Sequence, residues 1–132
     1  MASNPRDRRY TREHEWVMLR DGEALAGITD FAQEQLGDLV YFDLPDPGKQ
    51  VRQNEKLGEV ESVKAVSEIY APISGEVVEV NPKISDTPEV VNRDPYGEGW
   101  LLKLKPADPK EFDKLLSAEE YDALVATAGA EH

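Results

Sequence analysis

Two stretches of β-type composition, Glu59-Val60-Glu61-Ser62-Val63 and Val66-Ser67-Glu68-Ile69-Tyr70-Ala71, converge on Lys64, and Pro72 and Gly75 turn the chain soon afterwards. Neighbours along a strand point to opposite faces, so Val60 and Ser62 share one face and Glu59, Glu61 and Val63 the other. Past Lys64 the alternation resumes with either Ile69 and Ala71 inward or Glu68 and Tyr70 inward. The pattern places Lys64 at the tip of a hairpin. No Asn-Gly or Asp-Gly pair marks that tip, so the usual two-residue turn chemistry does not account for it.

The rest of the chain repeats this rhythm of short strands and Gly or Pro turns. Trp16-Val17-Met18-Leu19, the turn Arg20-Asp21-Gly22 and Glu23 to Ile28 read as a hairpin. The period then changes. Asp30 and Gln33 have capping-box spacing, Thr29 is the other N-cap choice, and Phe31, Ala32, Gln35 and Leu36 fall on one helical face. Gly37 closes this short helix, predicted over about 30–36. Strands are expected at Leu39–Phe42, Val51–Leu57, Gly58–Val63, Val66–Ala71, Glu76–Val80 and Trp100–Lys105. The segment Asn81 to Gly99 reads as ordered loop with short helical turns. Ser117-Ala118-Glu119-Glu120 is a capping box that opens a C-terminal helix over 117–127, with Tyr121, Leu124 and Val125 on its apolar face. Trp16, Trp100 and Tyr41 are expected in the core. Such a string implies a small all-β sandwich or barrel with a few peripheral helices.

The 132 residues fit a single domain, 1–132, with 1–9 as a flexible N-terminal segment. A net charge of −12 argues against nucleic acid, which needs clustered Lys and Arg, and reads either as a solvated surface or as acid that steers docking to basic faces. The chain has no cysteine, which removes disulfides, thiolate metal sites and thiol nucleophiles. No apolar run is long enough for a membrane span. Met1 to Tyr10 is polar and lacks the apolar core of a secretory signal. That points to the bacterial cytoplasm, or to the mitochondrial matrix for a mature eukaryotic form.

Few residues offer chemistry of their own. His14 has no second histidine near it, because His132 is terminal, and no Ser-His-acid arrangement is present, so His14 is read as a packing or hydrogen-bonding residue. No metal-ligand set and no catalytic constellation emerges. Lys64 is either an ordinary exposed hairpin lysine or an attachment point. Glu61 and Glu68 beside it favour the ammonium form, which argues against a catalytic base. Acylation would remove its charge and leave an extended arm.

Glu61-Ser62-Val63-Lys64-Ala65 together with Ala71-Pro72-Ile73-Ser74-Gly75-Glu76-Val77 resembles the lipoyl attachment hairpin of the glycine cleavage system H proteins. The likeness extends through Tyr10-Thr11-Arg12-Glu13-His14-Glu15-Trp16-Val17, Gly27 to Gln33, Leu36 to Val40, Leu44-Pro45 and Val91 to Trp100, roughly residues 10 to 106. It implies a lipoyl/biotinyl-type β-sandwich, a flattened barrel, with lipoate held covalently on Lys64. It implies a non-catalytic carrier that takes the aminomethyl group of glycine from a pyridoxal-phosphate decarboxylase to a tetrahydrofolate-dependent aminomethyltransferase. A flavin-dependent dihydrolipoyl dehydrogenase would reoxidise the arm, and a lipoate-attaching enzyme would install it on a monomeric protein. The absence of cysteine suits that division of labour, with the sulfurs on the arm. By the same resemblance Glu15, Glu68 and Glu13 are candidates for parking the amine-bearing arm. Biotin carriers resemble a Met-Lys-Met setting, from which Val63-Lys64-Ala65 departs. A lipoyl relay that donates lipoate to other complexes would use the same hairpin, and an unmodified interaction module is the remaining alternative.

Overall fold

The computed structural model describes residues 4–130. Nine strands among them form two antiparallel sheets. The larger sheet runs β1 (Arg9–Tyr10), β2 (Glu15–Arg20), β3 (Glu23–Ile28), β9 (Leu102–Pro106), β8 (Gly75–Val80) and β5 (Gln50–Val51) in spatial order. The smaller sheet runs β4 (Leu39–Asp43), β6 (Lys56–Ser62) and β7 (Val66–Tyr70). Side chains of both sheets meet in one core, with Val17, Ala26, Val77, Leu102 and Leu104 from the larger and Leu39, Val60 and Ile69 from the smaller. This is a two-sheet sandwich, and the β6–β7 hairpin brings Lys64 to its end.

Local chemistry accounts for most of the elements. Asp21 and Gly22 both take positive φ, 52° and 82°, as the tight β2–β3 turn requires. Thr29 caps α1 (Asp30–Leu36) by accepting the Ala32 N–H at 3.2 Å, while Gln33 bonds Asp30 inside the first turn. Ser117 and Glu120 bond each other's backbone N–H at 3.1 and 2.8 Å, a full capping box in front of α5 (Ala118–Ala130). A second cluster forms under that helix. Tyr10 stacks on Tyr121 with centroids 4.7 Å apart, and Trp16, Met18 and Ala118 close around them. Leu124 and Val125 pack against the same cluster. The loop between β8 and β9 holds α2 (Lys83–Asp86) and α3 (Val90–Arg93), the short helical turns expected there.

Several expectations need correction. The strand expected over Val51–Leu57 is broken. β5 stops at Val51, and a turn over Arg52–Glu55 with Asn54 at φ 72° leads into β6 at Lys56. Asparagine tolerates that left-handed conformation, and polar Arg52 to Glu55 has no apolar residue to bury. Tyr41 is not core but 58% exposed. A register shift between Leu39 and Tyr41 upsets the alternation, so Val40 and Tyr41 both face outward. Trp100 is half-buried at the rim of the second cluster, beneath the Lys103 ammonium. The N-terminal segment is docked where it is described, over residues 4–9. Asn4 bonds Asp122, Arg8 stacks over Trp16, and Arg9 belongs to β1. Residues 1–3 of that segment lie outside the described part. α4 (Pro109–Asp113), capped by Asp108, is an element that periodicity did not reveal in so short a polar stretch.

Candidate functional site

Lys64 is exposed at the tip of the β6–β7 hairpin, and the tip is built around Ser62. The Ser62 N–H donates to the Ala65 carbonyl at 2.8 Å. The return bond goes to the side chain, since Ser62 Oγ accepts the N–H of Ala65 at 3.1 Å and of Lys64 at 3.3 Å. The hydroxyl thus replaces a backbone carbonyl in closing the turn, and neither Val63 nor Lys64 takes positive φ. This is why the tip needs no Asn-Gly. Ser62 itself is 5% exposed. From the other side the Val63 N–H donates to the Asp38 carbonyl at 3.0 Å. Asn92 on α3 fixes that neighbouring loop, accepting the Leu39 N–H and donating to the Gly37 carbonyl. Two independent anchors therefore hold the backbone beneath Lys64, while its side chain runs past Gly37.

The three candidate acids gather near Tyr70, at the far end of β7. Glu15 is 3% exposed. Its Oε1 accepts from Thr11 Oγ1 at 2.5 Å and its Oε2 from the Tyr70 N–H at 3.0 Å. Burial pushes its carboxyl up to about 7, against the pull of those two bonds. Glu68 is exposed and accepts the Tyr70 hydroxyl at 2.7 Å. That bond raises the Tyr70 phenol above its usual value, with the charges of Glu13 and Glu15 adding to it. Glu13 is exposed on the turn before β2, its N–H on Thr11 Oγ1 at 3.2 Å. Glu68 lies four residues from Lys64 and Tyr70 six, about 13 and 20 Å along an extended strand. The cavity beside Glu15, lined also by Tyr70 and Pro72, measures about 10 Å³. It has room for one water molecule at most.

His14 has the structural place expected of it. Its Nδ1 lies 2.7 Å from the Tyr121 hydroxyl, which lies 2.7 Å from Thr29 Oγ1, and burial holds its pKa below the usual value. Thr11, Ser62, Tyr70 and Asn92 were not singled out from sequence. A serine two residues before a turn position is a recognisable signal for side-chain closure. The other three act through tertiary contacts that no local pattern announces.

A two-sheet β domain with an exposed lysine on a doubly anchored hairpin holds the base of that side chain in a fixed place. The family model described as glycine cleavage H-protein matches residues 8–128. The glycine cleavage system H protein of Anaeromyxobacter sp. (strain K) is 55% identical over 121 residues, 92% of this chain and 94% of that one. That of Halorhodospira halophila is 52% identical over 130 residues, 98% and 100% of the two chains. The crystal structure of a glycine cleavage system H protein from Mycobacterium marinum superposes with a TM-score of 0.87 at 43% identity, covering 93% of this chain and 99% of that one. The chain belongs to the glycine cleavage H-protein family, a carrier component of its system and not a catalyst. Among the described residues no helix is long and apolar enough to cross a membrane.

Proposed function

We propose that Lys64 bears lipoate in amide linkage and that the chain serves glycine cleavage as its mobile carrier. The observation that carries this reading is an exposed lysine at a hairpin tip anchored by Ser62 and Asp38, in a chain of this family. The residues present fit the group. Lys64 is free of an ion-pair partner among the described residues, so its amine is open to an attaching enzyme, and the anchored backbone gives the arm a fixed base. Lipoate in amide linkage to Lys64 would supply a disulfide that opens as one sulfur takes the aminomethyl group from the pyridoxal-phosphate decarboxylase and the other becomes a thiol, and the dithiol left after delivery to the tetrahydrofolate-dependent aminomethyltransferase would be reoxidised by dihydrolipoyl dehydrogenase. The chain contributes display, solubility and a resting place.

For that resting place the acids divide their work. Glu68 and the Tyr70 hydroxyl are exposed and meet an ammonium first. Glu15 acts from beneath, through the Tyr70 backbone and the local field, and Glu13 adds charge at the rim. We infer a monomer in the bacterial cytoplasm. Intact-mass measurement of natively expressed protein tests the attachment. The expected result is a lipoyl increment that Lys64→Arg abolishes, and its absence from wild type in a lipoylating host overturns the reading. Glycine–bicarbonate exchange with the cognate decarboxylase separates the carrier from a lipoate relay, which would be fully lipoylated and inactive there.

A further inference from the structure

The outward face of the smaller sheet is organised in rows across its three strands. Register sets Tyr41 opposite Glu61 and Glu61 opposite Val66, so the row nearest the tip is Tyr41–Glu61–Val66. The next outward row is Asp43–Glu59–Glu68. Tyr41 and Val66 are 58% and 61% exposed, with Val63 at 68% on the tip and Val40 at 45% on the neighbouring strand. Among the described residues, four of the six exposed large apolar side chains therefore lie on the tip or on the three strands of this sheet, and the other two, Leu19 and Val78, lie on the larger sheet. Such a concentration is what an unpartnered binding surface looks like, whereas singly scattered residues are not.

The charges beside this patch say what covers it. Carboxylates set directly opposite one another across strands destabilise a sheet. Asp43, Glu59 and Glu68 stand in that relation twice over. β4 and β7 contain no Lys or Arg, and the one cation of β6, Lys56, is bonded to Glu59 at 3.0 Å. A face that combines exposed apolar residues with a row of three acids and a single cation, Lys56, is complementary to a basic, partly apolar protein surface. It is also continuous with Lys64, which has to enter a partner's active site if it is the modified residue.

We propose that this face, Val40, Tyr41, Val63 and Val66 with the row Asp43–Glu59–Glu68, is the docking surface for the decarboxylase that loads the arm. The partner presents an apolar ledge to Tyr41 and Val66 and a line of Lys or Arg to the acid row. This rests on Lys64 being the lipoylated residue. Apolar contact supplies most of the affinity, and the acids supply approach rate and orientation, so the two parts respond differently to salt.

The test titrates lipoylated protein into the purified cognate pyridoxal-phosphate decarboxylase by calorimetry at low and at physiological salt. Tyr41→Ser combined with Val66→Ser is expected to weaken binding about tenfold at both salt concentrations. Asp43→Asn combined with Glu59→Gln is expected to flatten the salt dependence and to leave the melting temperature near that of wild type, because relief of like-charge opposition offsets loss of the exposed Lys56–Glu59 pair. Intact mass checks that each variant carries its lipoyl group. Equal affinities and equal salt dependence in wild type and both variants overturn the docking surface and leave the carrier reading standing. Fully lipoylated wild type that does not bind the decarboxylase also overturns it. A wild type that takes up no lipoyl group removes the carrier reading and this surface together.

Discussion

The Glu15 carboxylate accepts the backbone N–H of Tyr70 at 3.0 Å while its own residue is 3% exposed. This one bond ties the start of β2 in the larger sheet to the end of β7 in the smaller. It places a titratable group behind the strand whose outer side carries Glu68. Burial pushes that carboxyl up to about 7, so near neutrality it is divided between its two protonation states. A cation placed over Glu68 and Tyr70 would favour the ionised state.

The same shift fixes a stability trend. A carboxyl with its pKa raised from its ordinary 4.5 to about 7 binds its proton more tightly when folded. The pH-dependent penalty is absent below about pH 4.5, builds between there and pH 7, and is constant above. The full difference is roughly 3 kcal/mol. Burial of His14 works in the opposite direction, since its lowered pKa penalises the folded state as pH falls below 6.5. Comparison with Glu15→Gln in the same buffers isolates Glu15. Calorimetric unfolding from pH 4 to 8 should show the glutamine variant gaining on wild type as pH rises. Parallel curves for the two proteins would contradict a buried, titrating Glu15.

The hydroxyl of Tyr121 lies 2.7 Å from both His14 Nδ1 and Thr29 Oγ1 in a side chain that is fully buried. It joins the turn before β2, the cap of α1 and the helix α5. Tyr121→Phe keeps the stack on Tyr10 and removes only the oxygen. The expected loss is about 2 kcal/mol, because buried Thr29 and half-buried His14 both lose a partner. Urea unfolding followed by tryptophan fluorescence measures it, and a midpoint within error of wild type would exclude the linking role.

Local chemistry was legible in the residue string wherever one element decides its own form. Asp21-Gly22, Thr29 and the Ser117–Glu120 box appear as their types predict. The choice between Ile69 and Glu68 facing inward is settled by Ile69 and Ala71, 3% and 1% exposed. Legibility failed where two elements meet. Strand alternation predicts an outward residue only when one face of a sheet is bare. In β2 all of Glu15, Trp16, Val17 and Met18 are buried, because the strand is covered on both sides. Glu15 therefore reads as a surface acid in sequence and stands as a buried one in the fold. Tyr41 fails the opposite way, since a register shift within β4 leaves no trace in an apolar run.

Gly58 sits where β6 passes closest to the end of β4. A Cβ there would collide with the Asp43 carbonyl oxygen and lie 3.1 Å from Leu44 Cδ2. Backbone cannot yield as a side-chain end can, so the two strands must part. Gly58→Ala is expected to cost about 3 kcal/mol and to speed amide exchange along Tyr41 to Asp43. Wild-type exchange at those amides would show that the strands tolerate a methyl group between them.

Asn92 reaches the tip of the lysine hairpin at one remove. Its Oδ1 accepts the Leu39 N–H at 3.0 Å, and its Nδ2 donates to Gln33 Oε1 at 2.8 Å and to the Gly37 carbonyl at 2.9 Å. The Asp38 carbonyl between these contacts receives the Val63 N–H, one residue from Lys64. Asn92→Asp is near in size but sets oxygen against oxygen at two of the three bonds. It should cost about 3 kcal/mol, and Asn92→Ala about 2 kcal/mol, because the alanine removes the bonds without adding repulsion. Hydrogen exchange separates a local effect from a global one. The Val63 amide should lose protection well before Ala65, which is held by Ser62 inside the hairpin. Lipoyl attachment to Lys64, followed by intact mass over time, should slow in the same order of variants as the tip loses its second anchor. Equal protection of Val63 in all three proteins, with unchanged attachment rates, would mean that Ser62 alone positions the lysine.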